Sequence, residues 1–207
     1  ITSLDQVVPE DAPIIYGILQ PGPSVPNGVP YVRPTEIVDN EIALNALRRT
    51  SLDIARAYRR AELQPDDVLL SIVGTIGKVA IVPEVLRGGN ITQSSCRLRP
   101  DKNVVTSGLL AWFLRSPSAT SQFDQHRLGT AVPRLNIATV RQLAMPLPPL
   151  SEQRRIVAKI DSLTGKSRRA REHLDHIPRL VEKYKQAVLA AAVDGSLTES
   201  DRTDRGW

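Results

Sequence analysis

Apolar residues in the first 145 positions come in short runs, cut by Gly and Pro, whereas from Ile156 they recur at a fixed interval. The runs YVRPTEIV (31–38), DVLLSIV (67–73) and KVAIVP (78–83) are rich in β-branched residues and predict strands. GTIG, between the second and third, predicts a hairpin or a close approach of backbone to another element. PGPSVPNGVP (21–30) predicts an irregular loop, because each Pro fixes φ and removes a donor. The stretch 39–63 is mixed, with a short helix around Leu52–Arg60, and SGLLAWFLRSPSATSQFDQHR (107–127) has the spacing of one or two helices. The fold expected is α+β: a twisted, mostly antiparallel sheet domain over 1–150, then a long coiled-coil-forming helix over 151–197 and a flexible tail over 198–207.

The change of pattern falls at PLPPLSEQRRIVAKI (146–160). Pro146, Pro148 and Pro149 disfavour helix in the residues before them, Ser151 suits an N-cap, and Glu152 suits the positive end of the helix dipole. Beyond lie Ile156, Ile160, Leu163, Ser167, Ala170, Leu174, Ile177, Val181, Tyr184, Val188 and Ala191, spaced 4-3 throughout, ten of the eleven apolar or aromatic. Five such repeats make a coiled-coil seam, and Asp194-Gly195 supplies a stop. Gly165 and interior Pro178 predict a bend or a short break. After Pro178 the apolar face widens, so AVLAAAV (187–193) is expected to dock into more than one neighbour, and a helix folded back on its own domain is the competing reading.

Charge sharpens this division. The net +5 permits a polyanionic partner, yet residues 1–150 hold 15 Lys/Arg against 13 Asp/Glu, while 151–193 hold 10 against 5. The helix carries most of the excess. Aromatics are 4% of the chain, so the core must be aliphatic. The single cysteine, Cys96, excludes an internal disulfide and suits a reducing, cytoplasmic setting. The opening residues lack the pattern of a secretory signal, and no eighteen-residue apolar run predicts a membrane span.

Catalytic motifs are not in evidence. GTIGK (74–78) has the wrong spacing for a phosphate-binding loop, and Val79 stands where Ser or Thr is needed. His126, His173 and His176 have no acidic or Cys partners at ligand spacing, so neither metal nor cofactor is expected. The chain is read as catalysing nothing by itself.

PLPPLSEQRRIVAKI, followed by LVEKYKQAVLAAAVDGSLTE, resembles the conserved region of type I restriction-modification specificity subunits. The matching residues are Leu147-Pro148-Pro149-Leu150, Glu152-Gln153, Arg155-Ile156-Val157, Leu180, Gln186-Ala187-Val188-Leu189, Gly195 and Leu197-Thr198. PDDVLLSIVGTIGKVAIV (65–82) and GTAVPRLN (129–136) resemble the family's target-recognition domain, with Asp66 standing where Gly is commoner. The resemblance implies a domain that reads one part of a split double-stranded DNA sequence. It also implies a helix that holds two such domains apart, pairs antiparallel, and docks methyltransferase subunits and through them a restriction subunit. At about 1.5 Å per residue, a straight helix over 151–193 spans roughly 65 Å.

Members normally carry two recognition domains and two helices, and this sequence shows one of each, so it is expected to pair with itself or with a second recognition half. The ending DRTDRGW favours a fragment or a natural short form. Lys159, Lys166, Arg171 and Lys185 at flanking heptad positions would repel a parallel copy. Two alternatives stay open: the recognition segment of a fused restriction-methylation enzyme, and a coiled-coil adaptor without a nucleic-acid role.

Candidate DNA-contacting residues follow from side-chain chemistry. Gln93, Ser94, Ser95, Thr130, Arg134 and Asn136 lie in predicted loops and carry groups suited to base edges. Arg33, Arg59, Arg60, Lys78, Arg97 and Arg127 are candidates for phosphate contact, with ordinary surface charge as the alternative. Asn136 could equally form a turn with its own backbone.

Overall fold

The computed structural model describes residues 1–129 and 131–196, and it divides into two units, Ile1–Val157 and the chain from Ala158 onward. In the first unit, β1 (Thr2–Ser3), β2 (Ile15–Tyr16), β3 (Val29–Val32), β4 (Ile37–Val38), β5 (Glu41–Ile42) and β6 (Arg48–Thr50) precede helix α1 (Leu52–Ala57). Then come β7 (Val68–Ser71), β8 (Val79–Ile81), β9 (Asn90–Ile91), β10 (Ser95–Leu98), α2 (Ser107–Leu114), α3 (Pro117–His126), α4 (Ile137–Gln142) and β11 (Ala144–Met145). Helix α5 (Leu150–Val193) starts in the first unit and runs on into the second.

The main sheet, ordered β2-β10-β7-β8, is antiparallel throughout. Its two inner strands are buried along their whole length, which is why 67–73 reads as a continuous apolar run instead of an alternating one. Alternation sorts the side chains to two cores. Val68, Leu70, Cys96 and Leu98 cluster with α2, α3, the N-terminal residues Leu4–Ile14 and Leu135–Met145, whereas Leu69 and Ala80 join Val32, Ile37, Leu63 and Ile91. A second sheet, β6-β3-β9, contains the parallel pair β3–β9, and β1 pairs with β11, closing the domain just before the prolines.

Several local expectations change. Pro34 ends β3 and opens a 3-10 turn over Pro34–Glu36, so 31–38 is not one strand, and β3 begins inside the proline loop at Val29. Asp39 and Asn40, both at positive φ, turn β4 into β5 as a two-residue hairpin that the sequence reading missed. The 107–127 region forms two helices, capped by Thr106 and Ser116, whose hydroxyls accept from the Leu109 and Ala119 amides. Asp66 has φ +71°, which explains why glycine suits that position, and its carboxylate pairs with Lys102 at 2.8 Å.

Ser151 is not the cap expected of it: α5 already begins at Leu150, and Pro149 accepts the Gln153 amide at 3.0 Å. Nor does the helix break at Gly165 or Pro178, since it is continuous to Val193. Pro178 still removes the donor that would serve the Leu174 carbonyl. At the far end Gly195 takes φ +80° and Ser196 donates to the Asp194 carboxylate at 2.9 Å, as a helix stop requires. No helix among the described residues is long and apolar enough to cross a membrane.

Candidate nucleic-acid interface

Four segments distant in sequence are tied together by backbone at one end of the main sheet. The β7–β8 hairpin loop donates from Ile72 to the Ser94 carbonyl at 2.9 Å and from Gly74 to the Pro133 carbonyl at 2.9 Å. Leu135 donates back to Ile72 at 2.8 Å, and Gln93 donates to Ile18 at 2.9 Å. Leu128 and Arg134 exchange two hydrogen bonds. Inside the hairpin, Gly74 and Gly77 sit at φ +76° and +93°, and the Ser71 hydroxyl accepts from the Lys78 amide while donating to the Thr75 carbonyl. GTIG is thus a strand connection, as its spacing indicated, and it holds Thr75 out in solvent.

Of the proposed base readers, Gln93 and Arg134 are exposed on this surface and Ser94 is half-buried there. Thr130 lies outside the described residues. Ser95 is a correction: it is fully buried at the start of β10, and its Oγ has no hydrogen-bond partner, so it offers nothing to a duplex. Asn136 is exposed but its Oδ1 caps α4, accepting from the Thr139 amide at 2.7 Å, which is the turn-forming alternative. Thr75, Gln20, Leu128 and Val132 are exposed on the same four segments and were missed, because only the fold gathers them.

The phosphate candidates divide sharply. Arg59, Arg60 and Arg127 are exposed, Arg127 beside Asp124 at 3.7 Å. Arg60 stands at a cavity of about 330 Å³ that Tyr16, Tyr58 and Arg141 also line. Arg33, Lys78 and Arg97 have structural duties instead. Arg33 forks onto the buried Glu36 carboxylate, which raises its own pKa further. Burial pushes the Glu36 pKa up, but hydrogen bonds from the Arg33 guanidinium, the Thr35 hydroxyl and the Arg33 amide outweigh it and leave the carboxyl below its usual range.

The Lys78 ammonium donates to the carbonyls of Pro34 and Ile37, both at 2.9 Å, pinning the hairpin to the β3–β4 turn. Arg97, 1% exposed, donates to the Pro13 carbonyl at 3.1 Å; burial, with Arg99 nearby, lowers its pKa. Its strand position points it inward, an outcome composition cannot signal. Burial also pushes the Cys96 thiol to about 12, so it is no nucleophile. Three exposed arginines went unremarked: Arg48 and Arg49 on β6, and Arg56 on α1, which with Arg59 and Arg60 put five guanidinia in thirteen residues.

The proposed helix seam divides too. Ile156 packs, half-buried, against the first unit's main core and so leaves the seam, and Ile160 is half-buried. Leu163, Ala170, Leu174, Ile177, Val181, Tyr184 and Val188 are exposed, Leu174 by 62% and Tyr184 by 72%, while Ala191 is half-buried.

The model of the type I restriction modification DNA specificity domain matches residues 23–177, which take in three of the four linked segments, every strand from β3 to β11 and more than half of α5. The chain belongs to that family. Its similarity to the EcoBI type I restriction enzyme specificity subunit of Escherichia coli is 30% identity over 203 residues, 98% of this chain and 43% of that relative. Similarity to the crystal structure of the HsdS subunit of Thermoanaerobacter tengcongensis gives a TM-score of 0.64 at 26% identity, over 83% of this chain and 43% of that one. A solved chain of a type I R-M system aligns with a TM-score of 0.67 at 22% identity, over 92% and 48%. The chain thus spans less than half the length of the relatives reported, as one domain and one helix against longer subunits.

Proposed function

We propose that this specificity-domain chain is the DNA-recognition half of a type I specificity subunit, reading one part of a bipartite double-stranded target. The observation that carries the reading is the convergence of four backbone-linked loops at one end of the main sheet, which display Gln93, Thr75 and Arg134, all three within the family match. Gln and Arg termini match adenine and guanine edges, and exposed Arg48, Arg49, Arg56, Arg59, Arg60 and Arg127 supply phosphate contacts of the sequence-independent kind. Chemistry is left to methyltransferase subunits that dock on the helix and, through them, to a restriction subunit. The exposed seam from Leu163 to Val188 serves pairing with a second recognition half, antiparallel to itself or to a partner domain. The setting is the cytoplasm, where the DNA is.

The test mixes the full chain with its modification subunit and maps methylated positions on random-sequence duplex, with binding followed against salt. The expected outcome is a two-part consensus, both parts of which change with Gln93→Ala or Arg134→Ala because two copies of the chain read them, and an affinity that falls steeply with salt. Binding that is weak and flat with salt would remove DNA from the account.

A further inference from the structure

Gln153 stands in the first turn of a helix whose neighbouring Ser151, Arg154 and Arg155 are exposed, yet it is wholly buried. Its Oε1 accepts from the Thr106 amide at 2.9 Å, and its Nε2 donates to the carbonyls of Val104 and Pro148, also at 2.9 Å each. One side chain thereby fastens three pieces of backbone: the start of α2, the proline run, and the first turn of α5. Only glutamine has this reach with one acceptor and two donors; glutamate has acceptors alone, lysine donors alone, and methionine no donor and only a weak acceptor.

A second observation marks the same joint. A Cβ placed on Gly108, in the first turn of α2, would lie 2.9 Å from Val157 Cγ1, so α2 and α5 touch where a methyl would force Val157 to shift. Leu147, Ile156 and Val157 pack on the core around it. The start of α5 is therefore held by buried polar bonds and by tight apolar contact together. Salt bridges such as Arg155–Glu152, on the exposed side, have no part in it.

We infer that Gln153 is a positioning residue for spacer discrimination: it locks the first two turns of α5, as far as Val157, into the reading domain. Resting on the reading of the chain as half of a bipartite DNA reader, this makes the number of base pairs between the two halves depend on a residue that touches no DNA. Half-site spacing is geometric, and a loosened joint blurs it without altering which bases are read.

The experiment uses the complex of the full chain with its modification subunit and a random-sequence duplex library as probe. Wild type should return one dominant spacer length. Gln153→Met, which keeps the length and packing of the side chain but none of its hydrogen bonds, should lower the ratio of that spacer to its one-base-pair neighbours by about tenfold, with the half-sequence consensus unchanged. The Thr106 amide, observed without DNA, should exchange at least about tenfold faster in that variant. Val157→Ala, which slackens the same joint without unpairing a polar group, should broaden the spacer in the same sense, and it decides the matter if Gln153→Met does not fold. An unbroadened spacer distribution, unchanged Thr106 exchange, or equal damage to the half-sequence consensus overturns the proposal. A wild-type complex with no two-part preference overturns the underlying reading, and the proposal with it.

Discussion

Replacing Leu174 and Ile177 together by glutamate tests whether the exposed stripe on α5 is an interface. The two side chains lie on the 4-3 repeat and are 62% and 49% exposed. Complete burial of a leucine or isoleucine contributes about 1.5–3 kcal/mol, so residues that begin half-exposed recover roughly 1–1.5 kcal/mol each on pairing. A two-fold pair counts each residue twice. The double substitution therefore removes about 4–6 kcal/mol of association, before any cost of placing carboxylates against a facing helix. At about 1.4 kcal/mol per decade this weakens self-association by roughly three to four orders of magnitude. Basic residues flank the stripe, among them Lys159, Lys166, Arg171 and Lys185, so the new carboxylates can find cations within their own helix. The Kd should consequently rise by the smaller end of that range. Sedimentation velocity of the full chain over a concentration series measures the change, and circular dichroism checks that α5 remains helical. An unchanged sedimentation profile, with wild type self-associated and helix content intact, would show that the stripe is not where copies meet.

Two further outcomes follow from packing and titration. Gly108→Ala gains about 1 kcal/mol of helix propensity but drives a methyl into Val157 at 2.9 Å, at a cost of about 1–3 kcal/mol, so the urea midpoint should fall; adding Val157→Ala should restore part of it, and a rise in the single variant would refute the close contact. Glu36 has its folded pKa held below the unfolded value of about 4.3, so its stabilisation is fully present above that pH and is lost as the pH falls through the folded pKa; Glu36→Gln should lower stability at pH 7 and flatten its acid dependence below about pH 4, measured by thermal unfolding across pH, and a parallel profile would refute the Arg33–Glu36 assignment.

Local chemistry was legible where it is local. The run 67–73, the helices around 52–60 and 107–127, the connection at GTIG and the stop at Asp194-Gly195 each depend on a few adjacent residues. The surface was legible only in part, because exposure is decided by which face of a strand a residue takes. Arg97 and Gln93 are four residues apart; the first is sealed into β10 and the second stands in the turn before it. Lys78 reads as a surface cation, yet it spends two donors on backbone carbonyls more than forty residues away in sequence. Arg48, Arg49 and Arg56 reached the list of phosphate candidates only when β6 and α1 were seen with their exposed sides.

The helix shows why periodicity alone cannot name a partner. Ile156 continues the 4-3 repeat of Leu163 and Leu174, and the hydrophobic effect treats all three alike. What separates them is geometry supplied from elsewhere in the chain: Gly108 leaves room for Val157, Gln153 satisfies Thr106, Val104 and Pro148, and Ile156 is thereby drawn onto the core. The repeat thus runs through two environments in one pattern. The first is filled by the domain itself. Leu174, Ile177 and Tyr184 remain in solvent, and an apolar stripe of that length on an otherwise basic helix is a surface that burial against another helix would stabilise. A polar side chain at the boundary makes the division sharp, because a buried amide bonded to three backbone groups tolerates neither sliding nor rotation, whereas aliphatic packing alone would permit both.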